Sequence, residues 1–447
     1  MPRELPPFRR ALLAAMTCAL TAGLLVGCGA QAPEEAPTVV RVPADAATIS
    51  EAVAAVAEDG LVLVSPGVYE EEVLIDTPGI TLRGLDRDET VVDGGGMRPF
   101  GVVAIADGVS VENLTVTGAT FYGVLVTGLH DENGPTAHGG DGYSTFDPEQ
   151  FPPLERFSIS HVTAYNNGLY GLYAFNARHG VIRDSYASGS ADSGIYVGQC
   201  RECDILVTGN VAENNAVGFE NANASDSVYV VGNRFSGNRV GMTFLSNYQE
   251  AFVPQRGNVV AGNVVSGNAE AESPAHAEGG FGIGIGIGAG TENEFLANRI
   301  EDNPVAGVLL SSTEDLAPLG NALRGSLFGG NGVDIANVAS DRAPARGTCL
   351  DGDAVTTLPE VLASELVAGC APDATDAAPQ TSTASAELPA VDVPPGMSFL
   401  RVPAPPSQPG VADPEAPART LPSTIGAPEL GDIAVPDAGL LADRSRR

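Results

Sequence analysis

The side chains with the most chemistry to offer fall one repeat apart. Tyr173, Tyr196 and Glu220 are separated by 23 and 24 residues, and each stands two places after a glycine, in GLYA from Gly171, GIYV from Gly194 and GFEN from Gly218. Further copies start at Gly123 (GVLV), Gly241 (GMTF), Gly307 (GVLL) and Gly332 (GVDI). If each copy is one turn of a stack, then Leu125, Tyr173, Tyr196, Glu220 and Thr243 share an outward column, with neighbours about 5 Å apart. Tyrosine rings hold sugar faces, while carboxylates and amides bond hydroxyls. Asp192, Gln199, Asn221 and Asn223 lie on or beside the same turns. The expected binding set is therefore Tyr173, Tyr196, Gln199, Glu220 and Asn221. The same column also reads as an exposed aromatic ladder that stabilises neighbouring strands, and Asp192 as a turn-closing residue.

Catalysis asks for more. Hydrolysis needs two carboxylates flanking the bond, and Asp192 and Glu220 are the available pair. The chain has no lysine, so a cationic base must be an arginine, with Arg178, Arg183 and Arg201 nearest. Each of these also reads as a solvated surface residue. His130 and His138 share an insertion, and His130 is the candidate for proton transfer if that loop folds over the column. His161 and His179 fall at turns and His276 in a later insertion; they suggest less. Asp131, Glu132, Asp141 and Asp147 form a weak oxygen set for calcium, but their spacing fits no named loop and a solvated acidic loop is the favoured reading. No other cofactor is expected. GIGIGIGAG, from Gly282, is not a phosphate loop, because no Lys-Ser/Thr follows it; alternating Ile and Gly reads as a strand.

A period of this size demands a solenoid, and short strands between Gly/Asn turns make it a β-solenoid. Three strands per coil of about 24 residues, in ten or eleven coils, is the expectation. Leu172, Ile195, Phe219 and Met242 then point inward and stack. Gly209-Asn210, Gly232-Asn233 and Gly262-Asn263, followed by Asn214, Asn238 and Asn268, suit an interior asparagine ladder. Thr48-Ile49-Ser50-Glu51 is a capping box that starts a short amphipathic helix over the N-terminal end of the stack. Strands are expected at 61–64, 73–75, 80–82 and 90–92. Two insertions break the period, one at 130–153 and one split between 247–257 and 269–280; such loops are where function often sits. A helical stretch at 358–367 suits a C-terminal cap.

Residues 167–176 (NGLYGLYAFN) and 190–199 (SADSGIYVGQ) resemble the right-handed parallel β-helix repeat proteins of bacteria, of the pectin-lyase-like superfamily, often lipoproteins or periplasmic. The resemblance implies that fold over roughly 40–370. The superfamily includes polysaccharide lyases, hydrolases, esterases, epimerases and copper-pathway accessory proteins, so it does not settle an activity. Arg3, Arg9 and Arg10 precede an apolar run ending Leu25-Val26-Gly27-Cys28, which resembles a lipoprotein signal with lipidation at Cys28. Cys200 with Cys203, and Cys349 with Cys370, are then expected disulfide cysteines in an oxidising compartment. The expected order is signal 1–27, tether 28–40, β-helix 41–338, cap 339–370 and a disordered Pro/Ala-rich tail 371–447. The formal charge of −33 disfavours nucleic acid and anionic lipid headgroups. The expectation is a monomeric, membrane-anchored extracytoplasmic protein that binds polysaccharide on an exposed face. The alternatives are a lyase or epimerase and a non-catalytic accessory protein.

Overall fold

The computed structural model describes residues 35–131, 134–135, 147–353, 355–369 and 385–446. The chain winds into parallel coils. One face is an 11-stranded parallel sheet that runs from Val73–Ile75 through Tyr122–Thr127, Tyr170–Phe175, Ser193–Cys200, Val217–Ala224, Val240–Leu245 and Ile283–Gly288 to Thr357–Leu358. The other strands, apart from the antiparallel pair His130–Asp131 and Gly134–Pro135, join in a 20-stranded sheet whose strands pair in parallel with their counterparts one coil on. Strands at 61–64 and 73–75 fall where the sequence places them, and Thr81–Gly84 and Thr90–Asp93 lie within a residue or two.

The interior is apolar because strand residues alternate in and out. Leu172, Ile195, Phe219 and Met242 follow one another in register and are fully buried, as are Ile285 and Ile287 of the Gly/Ile strand. At the turns, buried amides replace apolar packing. Asn210, Asn233, Asn263 and Asn298 form one ladder, each Nδ2 donating to the next Oδ1 at 2.9–3.0 Å. A second runs Asn215, Asn238, Asn268, Asn303 and Asn331. Its first rung is Asn215 rather than Asn214; Asn214 instead takes the left-handed turn position at φ 58°. Every rung also satisfies a backbone N–H that no strand partner reaches, so buried polar groups here are fully paired.

Both ends are closed. Thr48 accepts from the Glu51 amide at 3.1 Å and Glu51 from the Ala47 amide at 3.0 Å, starting the helix Ile49–Ala55, whose Ile49, Ala52 and Val53 join the core. At the other end the helix Leu362–Gly369 seats Leu362 and Leu366 on the core. It starts four residues later than expected, since Pro359 disfavours helical backbone at Leu358. Residues 385–446, part of the tail expected to be disordered, contain only two 3-10 turns and lie against the coils. Arg83 donates to the Pro414 carbonyl at 3.0 Å, Arg234 to Ala438 at 2.8 Å and Arg299 to Pro436 at 2.8 Å. The signal and Cys28 lie outside the described residues.

Candidate active site

The outward column is in the expected register. Leu125, Tyr173, Tyr196, Glu220 and Thr243 are direct partners on successive coils. It is not exposed, however: Tyr173 is 6 % accessible, Tyr196 2 % and Glu220 7 %. The cover has two sources. One is a second column at the position before each repeat glycine, where Phe100, Tyr122 and Tyr170 pair and Ser193 follows. Tyr170 stacks against Tyr122 and packs on Tyr173 and Tyr196, with centroids 4.5–5.5 Å apart. The other is the loops, which bring Leu129, Phe151 and Glu250 onto the rings. The result is an aromatic cluster outside the main core.

The Asn247–Gly257 half of the split insertion is tied down by side chains that sequence reasoning gave to a ligand. Gln199 accepts the Ala251 amide at 3.0 Å, and Asn223 bonds Asn247 and the Glu250 carbonyl. Gln199 and Asn223 are thus loop anchors, both at left-handed backbone. Glu250 then accepts the Tyr196 hydroxyl. Asn221 is also a correction: with Phe219 inward and Glu220 outward, alternation turns it into the core, fully buried.

The other half of the insertion delivers His276. Its backbone is held by Arg239, which is fully buried, donates to Ser273 and lies over the Phe281 ring. His276 Nε2 reaches Asp192 Oδ1 at 3.3 Å. Ser193 Oγ lies 3.1 Å from Asp192 Oδ1 and 2.6 Å from Glu220 Oε2. One hydroxyl hydrogen cannot serve two carboxylates. All contacts are satisfied if Glu220 is protonated and donates to Ser193, and Ser193 donates to Asp192. Burial and the nearby Asp192 charge act the same way, pushing Glu220 up to about 8 against the Ser193 hydrogen bond and the His276 charge. Burial also pushes Glu250 up to about 8, with the Tyr196 hydrogen bond opposing and Glu220 and Asp192 adding. For His276 burial pulls down, but the Asp192 hydrogen bond and charge, with Glu220 and Glu278, outweigh it and push it up to about 9. At Nδ1 the Glu278 amide donates at 3.0 Å, which needs a lone pair there. In the neutral ring and in the imidazolium alike, Nε2 carries its proton toward Asp192. Burial raises the phenols as well, with Tyr122 at about 12 and Tyr170, Tyr173 and Tyr196 well up, so they are proton donors and not bases.

Of the residues read as catalytic, the structure brings Asp192 and Glu220 together and leaves out Arg178 and His130. Arg178 pairs with Glu155, its Nε at 3.1 Å from Oε1. His130 sits in a two-residue strand against Gly134–Pro135. Arg183 pairs with Asp184, and His179 with Asp204. In the first insertion Asp147 caps the Glu149 amide at 2.9 Å and Asp131 is exposed beside His130; Glu132, His138 and Asp141 lie outside the described residues. Among the described residues the side chains that approach a metal donor set are Asp192, Glu220 and His276, with ligand atoms within 4.8 Å of one another. Two carboxylates and an imidazole fall short of the six to eight oxygens that calcium takes. Cys200 and Cys203 are joined in a disulfide; Cys349 is disulfide-bonded, and Cys370 lies outside the described residues. His276 and Glu250 were missed. The only signal for them is that both lie where the period breaks.

Comparison with known proteins supports the fold. The family described as right handed beta helix region matches residues 100–251 and 153–328, together just over half of the chain. No curated protein sequence matches. Among solved structures, the chain is similar to the A-module of the Azotobacter vinelandii mannuronan C-5 epimerase AlgE4, at 18 % identity over 66 % of this chain and 86 % of that one, TM-score 0.43. It is also similar to DFA-IIIase from Arthrobacter chlorophenolicus A6, at 16 % identity over 71 % and 95 %, TM-score 0.46. Pectate lyase Pel9A gives 14 % identity over 65 % and 72 %, TM-score 0.40. Likenesses of this size transfer no chemistry. With parallel coils, register and family match in agreement, this chain belongs to the right-handed β-helix family.

Proposed function

We propose that the protein is a polysaccharide lyase whose acid and base are Glu220 and Asp192. The observation that carries this reading is the hydrogen-bonded chain His276–Asp192–Ser193–Glu220, in which burial and the neighbouring carboxyl push Glu220 up to about 8. An environment that holds one carboxyl of a pair protonated marks it as the acid. Glu220 holds a proton ready to give. Asp192, whose side chain keeps 17 % of its surface, is the group with room to take one. His276 and Ser193 orient it. Because Ser193 bridges the pair, acid and base lie on the same side of any substrate, which suits a syn elimination. In that step the proton α to a uronate carboxylate goes to Asp192 and the adjacent carbon–oxygen bond breaks. The electron pair left on carbon forms the double bond, and the leaving oxygen takes the Glu220 proton.

The binding-only reading rested on stacking a sugar against Tyr173 and Tyr196. Their burial argues against it, since a ring covered by its neighbours has no face left. Tyr170, half-buried, and Phe121, 46 % accessible, are the aromatics with surface to offer. The test is incubation with uronate-containing and neutral polysaccharides, with and without calcium, reading the absorbance of the unsaturated product. Asp192→Asn and Glu220→Gln should abolish it. Binding without new absorbance on every acidic glycan would return the protein to the non-catalytic class. The lipid anchor at Cys28, the extracytoplasmic location and the monomeric state are likewise proposed; the Cys200–Cys203 disulfide supports an oxidising compartment. Radiolabelled palmitate incorporation, lost in Cys28→Ala, tests the anchor.

A further inference from the structure

On the far side of the Asn247–Gly257 loop lies a cleft of about 440 Å³, lined by Arg178, Arg201, Arg256, Phe252, Pro148 and Pro153. The chain carries 56 acidic and 23 basic residues, so three guanidinium groups around one cleft depart from its general character. Two of them are held by carboxylates: Arg178 by Glu155, and Arg256 by Asp226 at 3.1 and 3.2 Å. Arg201 has no carboxylate partner among the described residues and lies over the Phe252 ring, 5.4 Å from its centroid. Glu202 also lines the cleft, and Asp226 does so while engaged with Arg256. Phe252 supplies a second observation. Its backbone sits at φ 69°, a region costly for an aromatic residue that a glycine would occupy freely. The loop holds this ring in the cleft at a conformational cost, and the ring in turn seats Arg201.

We propose that this cleft is a subsite for an anionic sugar residue, whose ring packs on Phe252 and the prolines while its carboxylate or sulfate bonds Arg201. It rests on the lyase reading, whose uronate step already requires an acid at the reacting unit, and adds a place that holds a further acid of the same chain. The loop places Glu250 on the covered Tyr196 and, two residues later, Phe252 in the cleft. The experiment measures, by calorimetry on the full chain, the affinity of a galacturonate hexamer, its methyl ester and a sulfated galactose hexamer, for wild type, Arg201→Ala and Glu220→Gln. Arg201 is exposed, so its loss leaves the fold intact. The expected result is binding of at least one acid, weakened roughly tenfold or more by Arg201→Ala and by salt, with the ester unaffected; the tighter acid names the oxyanion. Equal binding of acid and ester, an unchanged affinity in Arg201→Ala, or no binding of either acid would overturn the subsite. Glu220→Gln separates the two claims. Binding retained with no turnover by wild type sinks the lyase and keeps the subsite, whereas turnover indifferent to Arg201 does the reverse.

Discussion

On the face that carries the C-terminal segment, cationic and amide side chains meet backbone groups of another element, although the Arg234 Nε and Asn166 Oδ1 atoms stay unpartnered among the described residues. Arg83, Arg234 and Arg299, on different coils, each donate to a carbonyl of that segment, and Asn166 and Asn113 bond it from the turns. On the 11-stranded face the polar groups meet their own kind. Glu220 faces Asp192 across one serine, and Glu250 leans on a buried phenol while its second oxygen has no partner. The coils beneath are the same, so the contrast is not a property of the scaffold. Arginine against carbonyl offsets part of its desolvation with a hydrogen bond, whereas carboxyl beside carboxyl adds repulsion to it. Strain of that kind persists where it has a use.

The contrast is broken most severely by taking away its unusual member. Glu220→Gln or Asp192→Asn should lower turnover on an acidic glycan by about 10² to 10⁴, the range for a positioned acid or base, with thermal stability unchanged or higher. A merely structural pair would show the opposite pattern. Next comes the paired interior. Asn233→Ala removes the acceptor of the Asn210 amide and side chain and a donor to Val207, and should cost about 3 kcal/mol in denaturant unfolding. Turnover of the folded fraction should stay near that of wild type.

A smaller effect tests the sign of the strain. Glu220 and Glu250 keep protons in the fold up to about 8 that the unfolded chain releases near the ordinary value of 4.5. The folded state therefore binds more protons across that window. Their contribution to stability is fully present below about 4.5 and lost as pH rises to about 8. The melting temperature should fall over that range, and Glu220→Gln should flatten the decline; a rise with pH would contradict the account. The smallest effect belongs to the face under the C-terminal segment. Arg299→Ala should cost under about 1 kcal/mol, since its partners keep access to water, and should speed proteolysis of the C-terminal segment without touching turnover.

What the sequence discloses follows the period. The register Tyr173–Tyr196–Glu220–Thr243, the inward stack of Leu172 and Ile195 and the asparagine ladder all follow from counting, because a coil that repeats must place equivalent residues one above another. Asn221 was legible by the same alternation, one step beyond Glu220. Exposure was not legible, because the cover over the column comes from ring packing and from loops. His276 and Glu250 lie in segments with no period and hence no register; only the anchors Arg239, Gln199 and Asn223 determine where they land. The seating of the C-terminal segment was hidden for a related reason. Its proline- and alanine-rich stretches contribute carbonyls, which every sequence has.

The claim on which the account turns is that one glutamate of the column, Glu220 beside Asp192, is held neutral at pH 7. Carbon-detected NMR titration of glutamate carboxyls labelled in the full chain, assigned with Glu220→Gln, reads it directly. The account predicts that the Glu220 carboxyl stays protonated at pH 7 and titrates near 8, and that Asp192→Asn brings its midpoint down. A Glu220 carboxyl ionised by pH 5 to 6 in the folded protein would contradict it.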